Sequence, residues 1–204
     1  IAERLKSAQI TVKQSTLDAH RLSNSVKLLA VSKTKPVSDI VQAYESGQRL
    51  FGENYVQEGV EKIQMLQSLA DIEWYFIGPI QSNKTRLVAE NFDWVQAVDR
   101  LKIAKRLNDQ TIPHKTLNVC IQVNIDDAHS KSGCMPSQIS TLAEKIALHP
   151  QLRLRGLMAI PQPDPNTLPA SFSGMQALFT ELQQHYPAID TLSMGMSDDF
   201  PIAA

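Results

Sequence analysis

The chain has 204 residues, 43% of them hydrophobic, with 20 basic and 21 acidic side chains. Length and apolar content describe a single core-bearing domain over 1–204. The near-balanced charge, with no basic stripe, argues against a nucleic-acid surface, and no apolar stretch approaches a membrane span. Cys120 and Cys134 form no CxxC pair, and the amphipathic start Ile1 to Lys6 carries no apolar signal core. Both features suit a cytoplasmic protein.

An N-terminal helix is predicted over about 1–22. Strand-like runs follow near 27–32, 49–52, 73–77, 94–98, 117–124, 153–160 and 190–194. Helical patterns fall between them, near 37–46, 55–69, 81–91, 100–109, 136–148 and 168–185. Val56, Val60, Ile63 and Leu66 show the clearest helical spacing, and Asp99 and Pro136 stand near helix starts. Such alternation means parallel strands joined by helical crossovers. The expected fold class is α/β, a TIM (β/α)8 barrel with an extra N-terminal helix. Seven strands are one short of eight, and Ser197 to Ala204 read as a helix just beginning. A continuation past Ala204, carrying the eighth strand, is therefore expected. The alternative is an open doubly wound sheet, which lacks support because no GxGxxG follows the first strand.

In such a barrel the working face lies at the C-terminal ends of the strands. Lys33 follows the apolar run Leu28 to Ser32, and Pro36 argues against further strand. An amine desolvated at a strand end loses its proton more readily and attacks carbonyls. The competing reading is a lysine that snorkels to solvent. After the last strand, Gly195 permits close backbone approach, and Ser197 is placed to open a helix whose first amides attract anions. Ser197 as a plain N-cap fits equally well. Glu53 and Asn54 follow the second strand, where Glu53 reads better as a turn residue than as a ligand. Lys84 reads as a solvated helix start. His20, His114, His129, His149 and His185 show no metal-ligand spacing.

Several segments then occur in order: Leu29 to Pro36, Phe51 to Glu58, Trp74 to Lys84, Ser130 to Gly133, Arg155 to Met158, and Ser193 to Asp199. Together they resemble the pyridoxal 5′-phosphate homeostasis protein family over nearly the whole chain. The resemblance implies a barrel like the N-terminal domain of alanine racemase, with pyridoxal 5′-phosphate carried on Lys33 as an internal aldimine. It implies that Asn54 lines the cofactor pocket and that Ser193, Met196 and Ser197 belong to the phosphate-binding turn. Lys131 matches a family lysine without an assigned role. Tyr75 stands where the family usually has His, and Ile80 where Leu is usual. The family's C-terminal glycine-rich segment is absent from the sequence.

The function this implies is intracellular vitamin B6 homeostasis, with the cofactor held as a lysine imine and no dedicated catalytic activity. Acceptor apoenzymes are possible partners, and a monomer is expected. The alternative is a racemase-like enzyme acting on amino acids. A further reading keeps Lys33 but replaces the cofactor with a sugar-phosphate substrate, giving an aldolase.

Overall fold

The computed structural model describes residues 1–128 and 131–204. His129, one of the histidines without metal-ligand spacing, and Ser130, in a family-like segment, lie outside the described residues.

Helix α1 (Ala2–Asp18) precedes seven strands: β1 (Ala30–Val31), β2 (Leu50–Glu53), β3 (Glu73–Phe76), β4 (Trp94–Val98), β5 (Leu117–Gln122), β6 (Leu152–Met158) and β7 (Thr191–Ser193). Between them run α2 (Val37–Glu45), α3 (Val56–Met65), α4 (Thr85–Asn91), α5 (Leu101–Gln110), α6 (Ile139–Ala147) and α7 (Leu168–His185). A 3₁₀ turn over Pro136–Gln138 leads into α6, and α8 (Phe200–Ala203) comes last.

Each strand pairs in parallel with its neighbour in sequence, in the order β1 to β7. A doubly wound sheet reverses strand order at a switch point. None occurs in this sheet, so the open-sheet alternative is set aside. The sheet curls. Ser193 Oγ on β7 donates to Gln96 Oε1 on β4 at 2.7 Å. Across three strand spacings in a flat sheet those residues would stand about 14 Å apart. Only a sheet bent around its own interior brings them together.

The hydrophobic patterns explain the layers. All five residues of β4 are buried, as expected for a strand covered on both faces. Helix α6 buries Ile139, Leu142, Ala143 and Ile146, at i, i+3, i+4 and i+7. Near the strand starts, the Arg155 guanidinium lies 4.4 Å above the Trp94 ring and grips Asp190 at 2.9 and 2.6 Å. Trp94 stacks on Tyr75, and both donate to Glu73 Oε2 at 3.1 Å. Burial, then the neighbouring Glu73 carboxylate, pushes the Tyr75 phenol well above its ordinary value. These side chains form a polar cluster packed on the buried rings of Tyr75 and Trp94.

Several boundaries differ from expectation. The first strand is only two residues long, because Leu28 and Leu29 precede the ladder; the Leu28 carbonyl accepts from Gln48 instead. Helix α4 starts at Thr85, after a turn in which the Lys84 amide bonds the Gln81 carbonyl. Helix α1 stops at Asp18 rather than near residue 22.

Candidate functional site

The C-terminal strand ends form a rim, and the sequence-predicted residues follow β1, β2 and β7 on it. Lys33 lies in a β-turn from Ser32 to Lys35, closed by the Lys35 amide on the Ser32 carbonyl at 3.1 Å. It is exposed, which corrects the expectation of a desolvated amine. It lies past the end of β1, whose last residue, Val31, is itself 47% exposed. The Lys33 amine forms no ion pair with any described residue.

Beneath the turn sits a buried charge cluster. Glu53, at the end of β2, is 0% exposed, which corrects its reading as a turn residue. Its Oε1 accepts from Ser32 Oγ at 2.6 Å and from Lys62 Nζ at 2.8 Å. Lys62 also donates to Glu58 Oε1 at 2.6 Å and to the Ser32 carbonyl at 2.6 Å. All three ammonium hydrogens are therefore committed. Glu58 and Lys62 are one turn apart on α3, and the Glu58 carboxylate accepts from the Thr34 amide at 2.6 Å. Burial pushes the Glu58 carboxyl up, but the Lys62 and Thr34 hydrogen bonds and the Lys62 charge outweigh it. The net position is below the usual carboxylate range.

Asn54 follows Glu53 and is half-buried. Its Oδ1 is buried without a hydrogen-bond partner among the described residues. Such orphaned acceptors are rare in folded proteins. Gly78, after β3, packs directly on Asn54: a Cβ there would lie 2.3 Å from the Asn54 carbonyl oxygen.

On β7, Ser193 is half-buried and tied to Gln96. Gly195 has φ +90°, and a Cβ on it would lie 2.8 Å from that of Ala203. Met196 is 45% exposed and Ser197 is exposed. The helix does not open at Ser197, as expected, but at Phe200. Asp199 explains the shift: its Oδ1 accepts the Met196 amide at 2.5 Å, forming a turn over Ser197 to Asp199, and Pro201 sets the helix start. The Ser197 and Asp198 amides bond no described residue.

Lys131 serves the neighbouring loops. It donates to the Ile160 carbonyl at 2.8 Å and lies 3.7 Å from Asp126, which also accepts from the Gln162 amide and Ser171 Oγ. Among the described residues no cluster of side chains suits a metal ion, and no helix is long and apolar enough to cross a membrane. Burial pushes the Cys120 thiol up to about 12 and the Cys134 thiol up to about 11, which makes both poor nucleophiles.

The sequence model described as "Alanine racemase, N-terminal domain" matches residues 8–203. A pyridoxal phosphate homeostasis protein of Pasteurella multocida is 56% identical over all of this chain and 90% of its own length. That of Escherichia coli K12 is 50% identical over all of this chain and 89% of its own length. The chain belongs to the pyridoxal phosphate homeostasis protein family. Structures agree with that placement. PipY of Synechococcus elongatus, solved with pyridoxal phosphate bound, is 35% identical, with a TM-score of 0.80, over 94% of this chain and 92% of PipY. Alanine racemase of Corynebacterium glutamicum is 15% identical, with a TM-score of 0.70, over 97% of this chain and 55% of the racemase. That likeness concerns the fold alone.

Sequence reasoning missed the roles of Glu58, Lys62 and Gly78. A signal for the first two was present: acid and base four apart on one helix, following a charged residue at the end of a core strand. Nothing in the sequence pairs Gly78 with Asn54.

Proposed function

We propose that this protein binds pyridoxal 5′-phosphate and takes part in its intracellular homeostasis, with Lys33 as the covalent attachment point. The observation that carries this reading is family membership across the whole chain together with an uncommitted amine, that of Lys33, directly after β1. When bound, the cofactor supplies an aldehyde that condenses with a primary amine and a phosphate that needs an anion site. The residues fit both demands. Lys33 presents an amine with no carboxylate partner, whereas Lys62 beside it is locked by three hydrogen bonds. Asn54 Oδ1 is a buried acceptor in want of a donor. Ser193 ends β7, and Met196 and Ser197 follow it in the turn, where the Ser197 and Asp198 amides, unbonded among the described residues, suit a phosphate.

In this reading the protein is a carrier and not a dedicated enzyme. Lys33 holds the reactive aldehyde and gives it up to the amine of an acceptor apoenzyme. A racemase needs a second acid or base on the opposite face of the cofactor. Tyr44 and Tyr75 are unsuited, since their hydroxyls are committed to Asp71 and Glu73 near the strand starts. The protein works in the cytoplasm as a monomer.

The test is spectroscopic and chiral. Purified protein given the cofactor should turn yellow, and Lys33→Ala should not. Incubation with a panel of single-enantiomer amino acids should leave them unchanged; robust inversion of any of them would replace the carrier reading with the racemase one.

A further inference from the structure

The turn that carries Lys33 has a conformation its own sequence does not favour. Thr34 has φ +61°. It occupies the second central position of the Ser32–Lys35 turn, where a positive φ calls for glycine and a β-branched residue is strained. The flanks of Lys33 are held from outside instead. Ser32 is gripped twice, through its carbonyl by Lys62 and through its hydroxyl by Glu53. Thr34 is gripped through its amide by Glu58. Both Glu58 and Lys62 project from α3, the helix that follows Asn54.

From this geometry we infer that Glu58, backed by Lys62 and Glu53, is a positioning device for Lys33. It keeps Thr34 in the left-handed region and so fixes the direction in which the Lys33 side chain leaves the backbone. The inference rests on Lys33 being the attachment point. The three residues are assigned to act through the turn, which all of their hydrogen bonds either reach or support. Strain of this kind persists only where surrounding contacts over-determine it. Without Glu58 the turn relaxes, and the amine spends less time where an aldehyde can be attacked. The covalent step itself is unchanged: the neutral amine adds to the aldehyde carbon, the aldehyde oxygen leaves as water, and the C=N bond replaces C=O.

The experiment compares wild type, Glu58→Ala, Glu58→Gln and the double variant Glu58→Ala/Thr34→Gly. Two quantities are read. One is the rate of borohydride-reducible bond formation with pyridoxal phosphate. The other is affinity for pyridoxine phosphate, an alcohol that shares the ring and phosphate but forms no such bond. Glu58→Ala should slow bond formation by about tenfold or more, as expected for a displaced reacting group. Its affinity for pyridoxine phosphate should stay at the wild-type value. Glu58→Gln keeps an acceptor for the Thr34 amide and should fall between. Glycine adopts a positive φ unaided, so Thr34→Gly should restore most of the rate in the Glu58→Ala background. In cofactor-free protein, hydrogen exchange at the Thr34 amide should speed up in Glu58→Ala.

Equal rates in wild type and Glu58→Ala would overturn the positioning role alone. So would a loss shared by both ligands and not rescued by glycine, since that marks general damage. A wild-type protein that forms no reducible bond would overturn the attachment reading, and this inference with it.

Discussion

Removing the Lys62 cation should expose how much the fold depends on the cluster under the rim. Lys62→Met keeps the length of the side chain and deletes its charge. Glu53, which is 0% exposed, would then hold a buried carboxylate with only the Ser32 hydroxyl left as donor. Breaking a buried pair in this way costs about 3–5 kcal/mol, because the remaining charge stays out of water. For a chain of this size each kcal/mol moves the thermal midpoint by about 2–4 °C, so the variant should melt about 6–20 °C lower. Glu53→Met in the same chain removes the stranded charge, and replacing a buried pair by apolar groups is often near neutral. The double variant should therefore recover most of the loss, less what the two freed Ser32 groups forfeit. Thermal unfolding of cofactor-free protein, followed by circular dichroism, measures all three proteins. A single variant within about 1 kcal/mol of wild type, or a double variant no more stable than the single one, would refute the reasoning.

Other outcomes follow from the same geometry. Asn54→Ala should weaken cofactor retention by roughly one hydrogen bond, about 1 kcal/mol. It should leave the melting temperature of the cofactor-free protein unchanged or higher, since the orphaned Oδ1 is gone. Gly78→Ala forces backbone atoms of Asn54 aside and should cost about 1–3 kcal/mol by overpacking, with cofactor retention falling in parallel; denaturant melts and gel filtration of loaded protein check both. The Glu58 carboxyl is held below its unfolded range, so the native state binds fewer protons there than the unfolded chain. Its stability contribution is complete above the unfolded value and disappears as pH falls through the folded one. Wild type should lose stability more steeply than Glu58→Gln as pH drops below about 4.3, as measured by urea unfolding at a series of pH values.

Much of the fold is legible because its periodicity is simple. The runs near 94–98 and 117–124 read as buried strands, and β4 and β5 lie there, since strands covered on both faces are continuously apolar. The alternation of elements gives parallel order, and the sheet follows it strand by strand. The rim was harder to read. Lys33 is positioned by β1, but its exposure depends on which elements pack beside that strand, and local sequence carries no such information. Ser197 has the residue type of an N-cap, yet the Asp199 side chain closes a turn onto the Met196 amide and the helix starts only at Phe200. Glu53 resembles a turn residue until Lys62 and Ser32 are seen converging on it from 9 and 21 positions away, on opposite sides in the chain. Burying a carboxylate requires partners, and only the fold reveals them. The polar cluster near the strand starts, built on Arg155, Trp94 and Glu73, was likewise invisible: its members lie on three different strands.

The central claim is that Lys33 is the amine that takes the cofactor. Peptide mass spectrometry of protein treated with pyridoxal phosphate and then borohydride tests it most directly. The added mass should appear on the peptide containing Lys33, at that residue. Its appearance instead on Lys35, Lys62 or Lys131, or on no lysine at all, would contradict the account.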